Sequence, residues 1–256
     1  VIGGAVDHAL GWRAAFWVAG IPGILLSLLV LTVADPLRGQ NDAEAVPRPR
    51  LGLFATYLDL LRNRTYILSV LGYAAYTFAL GGLAFWMPAW LERARGMTRP
   101  EATVTFGVIA LVTGFVGTFS GGWLGDRLLK RTPQAYLWVS GIATLAAAPV
   151  TLLGLTSTDR WVYLPAIVVG EILIFVSTGP INSAILNAVS PVERATAVGL
   201  SVFLMHFLGD IPSPPLIGMI SDASSLARAL VIVPGAILIS GAIWTFAAWE
   251  AGRRGG

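Results

Sequence analysis

The charged residues of this chain are confined to short segments that separate seven long apolar stretches. Charged residues make up 12% of the 256 residues, against roughly 25% in an ordinary soluble domain. The apolar stretches, each 21 to 32 residues long, are 14–34, 65–91, 102–125, 132–158, 161–192, 195–221 and 229–249. They contain two charged side chains, Glu171 and Asp210. A helix needs about 20 apolar residues to cross the hydrocarbon core of a bilayer, so each stretch predicts a transmembrane helix.

The length and composition of these stretches predict an all-α fold, a polytopic transmembrane helical bundle. Strands of a transmembrane barrel are about 10 residues long and alternate in polarity, whereas residues 23–33 show no such alternation. The 29 Gly and 15 Pro are typical of helices that pack closely in lipid. The chain has no Cys and two His, so neither a disulfide nor a metal site is expected.

The basic residues are interpreted as markers of membrane orientation, and no nucleic-acid partner is predicted despite the net charge of +3. With successive loops on alternate sides, eleven basic residues share one side: Arg38, Arg48, Arg50, Arg62, Arg64, Arg127, Lys130, Arg131, Arg194, Arg253 and Arg254. The other side carries six: Arg13, Arg93, Arg95, Arg99, Arg160 and Arg228. Because cytoplasmic loops are enriched in Lys and Arg, the pattern predicts a multi-pass integral membrane protein with a cytoplasmic C-terminus.

The spacing of the stretches divides the chain into four parts. Residues 1–33 are interpreted as the end of an N-terminal bundle, with the stump of one span at residues 1–6 followed by a complete span. The other parts are a cytoplasmic central loop at 34–65, a C-terminal six-helix bundle at 66–250 and a cytoplasmic tail at 251–256. Because the chain begins at Val1 without Met, helices that precede the stump are expected partners of the bundle.

The second half of the central loop contains an amphipathic segment. Its large apolar residues recur at helical spacing: Phe54, Tyr57, Leu58 and Leu61. This pattern is typical of a short helix that lies in the cytoplasmic interface of the membrane. The alternative is an early start of the next span.

A glycine-rich, basic motif, GGWLGDRLLKR, occupies residues 121–131 between the third and fourth predicted spans. A six-helix half after a long central loop, together with this motif, resembles the major facilitator superfamily. That resemblance implies a transporter fold of two such halves, of which this chain holds the C-terminal half and the last part of the N-terminal half.

The physical properties of the motif favour a reversible cytoplasmic gate. Small residues, Gly121, Gly122 and Gly125, allow helices to approach closely. Asp126 is expected to face the positive N-terminal end of a neighbouring helix. The basic cluster is expected to pair with acids there: Arg127, Lys130 and Arg131. Such exposed ion pairs are each worth only ~0.2–1 kcal/mol, which suits a gate that opens and closes. The alternative is a solvated turn that marks the cytoplasmic side.

Four stretches carry a second, more specific resemblance: residues 11–23 (GWRAAFWVAGIPG), 35–39 (DPLRG), 168–175 (VVGEILIF) and 205–222 (MHFLGDIPSPPLIGMISD). They are similar to the spinster branch of the superfamily, whose members are linked to lysophospholipids and sphingosine phosphates. The resemblance implies twelve spans in the full protein. Eukaryotic members tend to carry a Trp and acidic residues after the membrane glutamate, whereas residues 176–191 lack both. This difference favours a bacterial member in the inner membrane and leaves the head-group preference open.

Glu171 is the first of the two charged residues within the stretches. A charged side chain at the bilayer centre costs ~2.5–3.5 kcal/mol on insertion scales, so it normally faces a cavity or a partner. At 100° per residue, Thr178 and Asn182 share its helix face. Gly179 and Pro180 are expected to interrupt this helix and free backbone carbonyls. Glu171 is therefore a candidate proton acceptor or substrate ligand, and the alternative is a protonated acid hydrogen-bonded between helices.

The second charged residue belongs to a pair. His206 and Asp210 are spaced (i, i+4) and share a helix face with Gly199 and Ser213, and an imidazole beside a carboxylate can hold and release a proton. Three prolines follow and are expected to kink or break the helix just past the pair: Pro212, Pro214 and Pro215. The alternative is a polar clamp that fixes two helices.

The second predicted span carries a further candidate face. Tyr66, Tyr73 and Thr77 align on it and are candidates to line a cavity for an acyl chain. The alternative is ordinary helix packing.

These features favour a secondary active transporter that works by alternating access, because polar groups at mid-span and helices broken by Gly or Pro are typical of that class. The expected partners are the lipid bilayer and a small amphipathic substrate, and no cofactor is expected apart from a coupling proton. Alternatives are an exporter of other amphipathic molecules or organic anions, a channel, an intramembrane enzyme that uses Glu171, His206 and Asp210, and a half protein that only binds a partner. No filter sequence and no nucleophile motif supports the channel or the enzyme.

Overall fold

The computed structural model describes Val6, residues 10–33 and residues 52–254. The rest of the expected stump at 1–6, the first half of the central loop and residues 255–256 lie outside this described part. The chain separates into two compact units, residues 1–47 and 48–256. Each unit is considered by itself below.

The described part of the first unit contains one long helix, α1 (Trp12–Val30). Gly11 precedes it with a φ of 84°, a left-handed backbone conformation that favours glycine. The Trp12 ring contacts Phe16 edge-on at 6.1 Å, and the Arg13 guanidinium lies 4.4 Å from the Trp12 ring centroid. Its 19 residues are long and apolar enough to cross a membrane.

The second unit contains the remaining described helices. They are α2 (Leu53–Arg62), α3 (Arg64–Arg95), α4 (Arg99–Leu129), α5 (Ala135–Thr156), α6 (Arg160–Val176), α7 (Thr178–Asn187), α8 (Arg194–Met205), α9 (Ser213–Ala223), α10 (Leu226–Ala229) and α11 (Ile232–Arg254). A π-helical turn, His206–Asp210, follows α8. The pairs α6 with α7, α8 with α9, and α10 with α11 each make one span, so six of the seven candidate spans among the described residues lie here.

The boundaries differ slightly from those expected. α3 already begins at Arg64, inside the predicted central loop, because the Asn63 side chain caps it by accepting from the Tyr66 backbone N–H at 3.1 Å. α11 continues to Arg254, inside the predicted tail.

Glu250 accepts hydrogen bonds from Arg64 and Arg254, both at 2.7 Å, and these ion pairs join the start of α3 to the end of α11. We call this the Glu250 end of the bundle, and the opposite end the Arg95 end.

α2 is a separate helix that ends before Asn63, not an early start of α3. Leu60 and Thr56 are buried. The other large residues of the amphipathic segment are exposed: Phe54, Tyr57, Leu58 and Leu61. Exposed apolar residues beside a buried anchor fit the expected interfacial position, which stays a prediction.

The core of the bundle is built around α3. Trp244 of α11 donates its indole N–H to the Ser69 carbonyl at 3.0 Å, and Ser240 donates to the Gly72 carbonyl at 2.8 Å. The rings of Tyr73, Tyr76 and Trp244 form one aromatic cluster, with centroids 5.6 to 6.4 Å apart. Close packing and interhelical hydrogen bonds hold helices together where lipid removes the hydrophobic driving force between them.

Candidate substrate and coupling site

Glu171 lies on α6 and is buried, with 5% of its surface exposed. Thr113 of α4 donates a hydrogen bond to Glu171 Oε2 at 2.9 Å. Within the described chain Glu171 makes no ion pair. Both interpretations drawn from the sequence, a proton site and an acid hydrogen-bonded between helices, are compatible with this contact.

A small cavity of about 10 Å³ adjoins Glu171. Its lining residues are Leu83, Met87, Thr151, Leu155, Ile167 and Glu171. The Thr151 hydroxyl is buried and has no hydrogen-bond partner among the described residues. A cavity of this size is near the lower limit for holding one water molecule. The Glu171 carboxyl and the Thr151 hydroxyl therefore line a space with room for about one water.

The span that carries Glu171 is broken at Ser177, between α6 and α7. The Ser177 hydroxyl lies 2.7 Å from Thr144 Oγ1 and donates to the Ser140 carbonyl at 3.1 Å. The expected break at Gly179 and Pro180 is therefore displaced toward Ser177. The physical reason is that Pro180 falls in the first turn of α7, where its missing N–H would have no helical partner anyway.

The predicted polar face that joins Glu171, Thr178 and Asn182 is divided by this break. Thr178 Oγ1 lies 2.9 Å from the Tyr76 hydroxyl, which also donates to the Ile174 carbonyl at 3.2 Å. Asn182 is exposed and donates to the Tyr73 hydroxyl at 3.3 Å. Glu171 thus bonds to α4, whereas Thr178 and Asn182 bond to tyrosines of α3. Ser177 keeps α-region backbone angles, with a φ of −78° and a ψ of −19°, so the two groups of residues differ in the helix that they contact.

The expected contact between His206 and Asp210 is present. His206 Nδ1 lies 2.9 Å from both Asp210 carboxylate oxygens, and the two side chains are 47% and 36% exposed. Both residues belong to the π-helical turn, in which the Ile211 N–H bonds to the His206 carbonyl. π-helical turns are frequent at functional sites.

The sequence predicted a helix break just past the pair. In the structure the break begins at the pair itself. Pro212, Pro214 and Pro215 have no N–H to donate, so the carbonyls of residues 208, 210 and 211, four residues earlier, lose their α-helical partners. The chain widens there into the π-helical turn and becomes α-helical again at Ser213.

α3 holds this turn from one side. Thr77 donates to the Met205 carbonyl at 2.9 Å, and the predicted site residue Ser213 donates to the Phe78 carbonyl at 2.6 Å. Gly209 is buried so closely that a Cβ there would overlap the Thr77 hydroxyl and the Ala74 carbonyl. The position of the pair therefore depends on a glycine contact with α3.

The three residues expected to line a cavity all make interhelical hydrogen bonds instead. Tyr66 is fully buried and donates to the Ala197 carbonyl of α8 at 2.7 Å, so its role as a lining residue stays a prediction. Tyr73 and Thr77 are each 9% exposed. Tyr73 accepts its hydrogen bond from the exposed Asn182.

The gate motif is arranged only partly as expected. Gly121 packs so tightly that a Cβ would overlap the Val176 carbonyl, and one at Gly125 would meet the Tyr136 ring at 2.8 Å. A Cβ at Gly122 would meet nothing within 4 Å, but the Gly122 backbone lies 3.9 Å from a Cβ placed on Gly179 of α7. Asp126 accepts a hydrogen bond from the Tyr136 hydroxyl at 2.9 Å. Since Tyr136 lies in the first turn of α5, Asp126 does lie near a helix N-terminus.

The basic residues of the motif form no ion pair with any acid in the part of the chain that the structure describes. The Arg127 guanidinium lies 5.5 Å from the Trp123 ring centroid. Lys130 and Arg131 are exposed. The expected pairing of this cluster with acids stays a prediction.

Several polar residues of the site could not be identified from the sequence. They are Tyr76, Thr113, Thr144, Thr151 and Ser177. A hydroxyl within a span can bond to its own helix, and the Ile109 carbonyl lies 2.8 Å from the Thr113 hydroxyl as an alternative acceptor for its single hydrogen. The sequence position of a hydroxyl therefore carries no sign of its partner. The one available signal was mid-span location, which many Ser and Thr share.

Fold and site together define a class of protein. The described helices form a polytopic bundle in which two spans are interrupted, one at Ser177 and one at the His206–Asp210 turn. No group of metal-ligating side chains occurs in the described ranges. Interrupted helices beside polar groups within the membrane are typical of secondary transporters.

A family assignment follows from the sequence as a whole. The family model of the Major Facilitator Superfamily matches residues 1–214, and the chain belongs to this family. Protein spinster homolog 3 of Danio rerio is 34% identical over 240 residues, which are 88% of this chain and 48% of that protein. An MFS-type efflux pump of Mycolicibacterium smegmatis is 32% identical over 248 residues, 94% of this chain and 57% of that protein. The chain spans about half the length of the curated relatives it matches.

Solved structures confirm the fold. A bacterial homolog of the human lysosomal transporter spinster, in an inward-facing and unoccupied conformation, matches with a TM-score of 0.71 and 23% identity, over 93% of this chain and 59% of that chain. The Escherichia coli fucose:proton symporter FucP matches with a TM-score of 0.71 and 20% identity, over 93% of this chain and 55% of that chain. The expected all-α bundle and the spinster resemblance are confirmed, and the relatives are transporters, not enzymes.

Proposed function

We propose that this chain carries out secondary active transport by alternating access and moves an amphipathic, lipid-like substrate of the lysophospholipid or sphingoid phosphate class. The observation that carries the proposal is the His206–Asp210 pair. It is exposed on a π-helical turn that interrupts a span, and α3 holds it in place. A titratable pair at such a break can bind differently in two conformations, which is what a change of access requires.

The substrate class is supported by the surroundings of the pair and by the relatives. Phe203 and Phe207 are exposed beside His206 and stack on each other at 5.6 Å, so an apolar surface adjoins a polar one, as an amphipathic substrate requires. Relatives in Arabidopsis thaliana are named probable sphingolipid transporters, one of them 32% identical over 96% of this chain. Alternating access needs two bundles around one site, and this chain spans 53% of the length of that relative.

We further propose that protons drive the cycle, with Glu171 and the His206–Asp210 pair as the coupling groups. Glu171 has one hydroxyl donor and no ion pair in the described chain, so no cationic side chain there competes with a proton for its carboxylate.

The bias of basic residues supports a cytoplasmic C-terminus, and the mycobacterial relative supports a bacterial cell membrane.

The test is uptake of a labelled lysophospholipid and a sphingoid phosphate by the intact protein in liposomes, with and without a pH gradient. Glu171→Gln and Asp210→Asn are expected to abolish gradient-driven uptake. Asp222→Asn is the control, because Asp222 is an exposed acid near the end of α9. Normal uptake by both site variants would refute the site, and a rate that is uniform from pH 5 to 8 would refute proton coupling.

A second candidate substrate class is favoured by the mycobacterial efflux pump, which is as similar to this chain as the spinster homologues. Export of other small amphipathic molecules or organic anions would use the same pair and the same alternating cycle. Direct transport distinguishes the two: uptake of a labelled organic anion without uptake of a labelled lysophospholipid would favour the second class, and the reverse would favour the first.

A further inference from the structure

A second polar site lies at the Arg95 end of the bundle, away from the proposed transport site. A cavity of about 380 Å³ opens there between the end of α3, the start of α4 and the start of α6. The side chains on its wall that matter for binding are Arg95, Arg160, Glu101 and Tyr163. This volume is within the range of sites that hold small molecules.

Arg95 is the central residue of this cavity. Its guanidinium donates to the Leu155 and Ser157 carbonyls at the end of α5, and lies 4.2 Å from the Trp90 ring centroid and 5.0 Å from that of Tyr163. None of these partners carries a negative charge. Nε of Arg95 is buried without a hydrogen-bond partner in the described chain. A cation that is partly removed from water and has only dipoles and rings around it attracts an anion strongly.

The charges that face the cavity favour an anion as well. Arg95 and Arg160 supply two positive charges and Glu101 one negative charge. Neither arginine forms an ion pair with a described acid, and Glu101 forms none with a described basic residue. Arg95 also belongs to the basic residues at this end that run against the overall charge bias of the loops, so membrane orientation does not account for it.

We infer that the cavity binds an oxyanion of the phosphate or carboxylate type between Arg95 and Arg160. The source is either the head group of an anionic lipid in the adjacent leaflet or a small free anion, and both present the same chemistry. Because Arg95 also holds the ends of α3, α5 and α6 together, the bound anion stabilises this end of the bundle. The inference does not depend on transport activity.

The test is the thermal unfolding midpoint of the intact detergent-solubilised protein, titrated with dioctanoyl phosphatidylglycerol in one arm and inorganic phosphate in the other. At least one anion should raise the midpoint. A rise with phosphatidylglycerol alone identifies a lipid head group, and an equal rise with phosphate identifies a small anion. Either result supports the site, and no rise in either arm overturns it.

Three variants locate the effect. Arg160→Gln removes an exposed wall charge and should raise the half-saturating concentration roughly tenfold, the value of one charge-assisted hydrogen bond. Glu101→Gln removes the opposing charge and should lower that concentration. Arg93→Gln is the matched control, because Arg93 is exposed on the same helix end but does not line the cavity. Equal titrations for Arg160→Gln and Arg93→Gln would refute the site.

Discussion

Glu171 and the His206–Asp210 pair represent two ways of keeping an acid within a transmembrane bundle. Glu171 is 5% exposed and is enclosed by helices of its own unit, with one hydroxyl donor. Asp210 is 36% exposed, has its own imidazole partner and stands on a helix break. A sealed acid exchanges protons only when packed helices move, whereas an exposed pair can meet substrate directly. Both acids are proposed coupling groups, and the exposed pair is in addition placed to contact substrate.

The largest expected effect concerns Gly209, whose close contact with α3 sets the position of the exposed His206–Asp210 pair. A Cβ at Gly209 would overlap Thr77 and Ala74, so we expect Gly209→Ala to destabilise the protein by about 3 kcal/mol. Gly199→Ala in the same span is the control, because no atom lies within 4 Å of its added Cβ, and it should be neutral or stabilising by up to about 1 kcal/mol. Thermal unfolding of both variants measures the difference. Equal midpoints would mean that α3 does not hold the turn.

The hydroxyl donor of Glu171 provides the next largest test. Thr113→Val leaves a buried carboxyl without its hydrogen bond, at a cost of about 1–3 kcal/mol. Thr103→Val is the control, because Thr103 is exposed on the same helix and bonds only to the Arg99 carbonyl. Adding Glu171→Gln to Thr113→Val should not deepen the loss, since the two residues form one contact. Unfolding midpoints that add up independently would refute the contact.

Water access separates the two sites directly. This chain contains no Cys, so within it a single introduced Cys reports on its own position. His206→Cys should react with a polar maleimide at least about tenfold faster than Thr113→Cys, because thiol reactivity follows exposure. Labelling of the intact protein in membrane vesicles gives both rates. If the rates are equal, the pair does not face water and the proposed recognition role fails.

The smallest expected effect concerns the stability contributed by the pair itself. Exposed ion pairs are worth ~0.2–1 kcal/mol and are screened by salt. Asp210→Asn should therefore lower the free energy of unfolding by less than about 1 kcal/mol, and less at high salt. A loss as large as that of Thr113→Val would mean that the pair is a structural clamp, the alternative drawn from its sequence.

Local sequence was sufficient for the features that depend on local sequence alone. The run lengths between charges predicted the spans, because the thickness of a bilayer sets the length of any helix that crosses it. The (i, i+4) spacing predicted the contact of His206 with Asp210, because helical geometry places such residues together. The close approach at Gly121 could also be predicted, because a residue without a side chain is visible in the sequence.

The tertiary structure decided which helix faces which. The hydrogen bond of Thr113 to Glu171, that of Tyr66 to the Ala197 carbonyl of α8, and the approach of Gly122 to Gly179 all depend on residues far away in the sequence. Helix period and charge spacing describe one helix at a time. In lipid, the partners of a hydroxyl or a glycine are chosen by packing and hydrogen bonding between helices, which no single helix encodes.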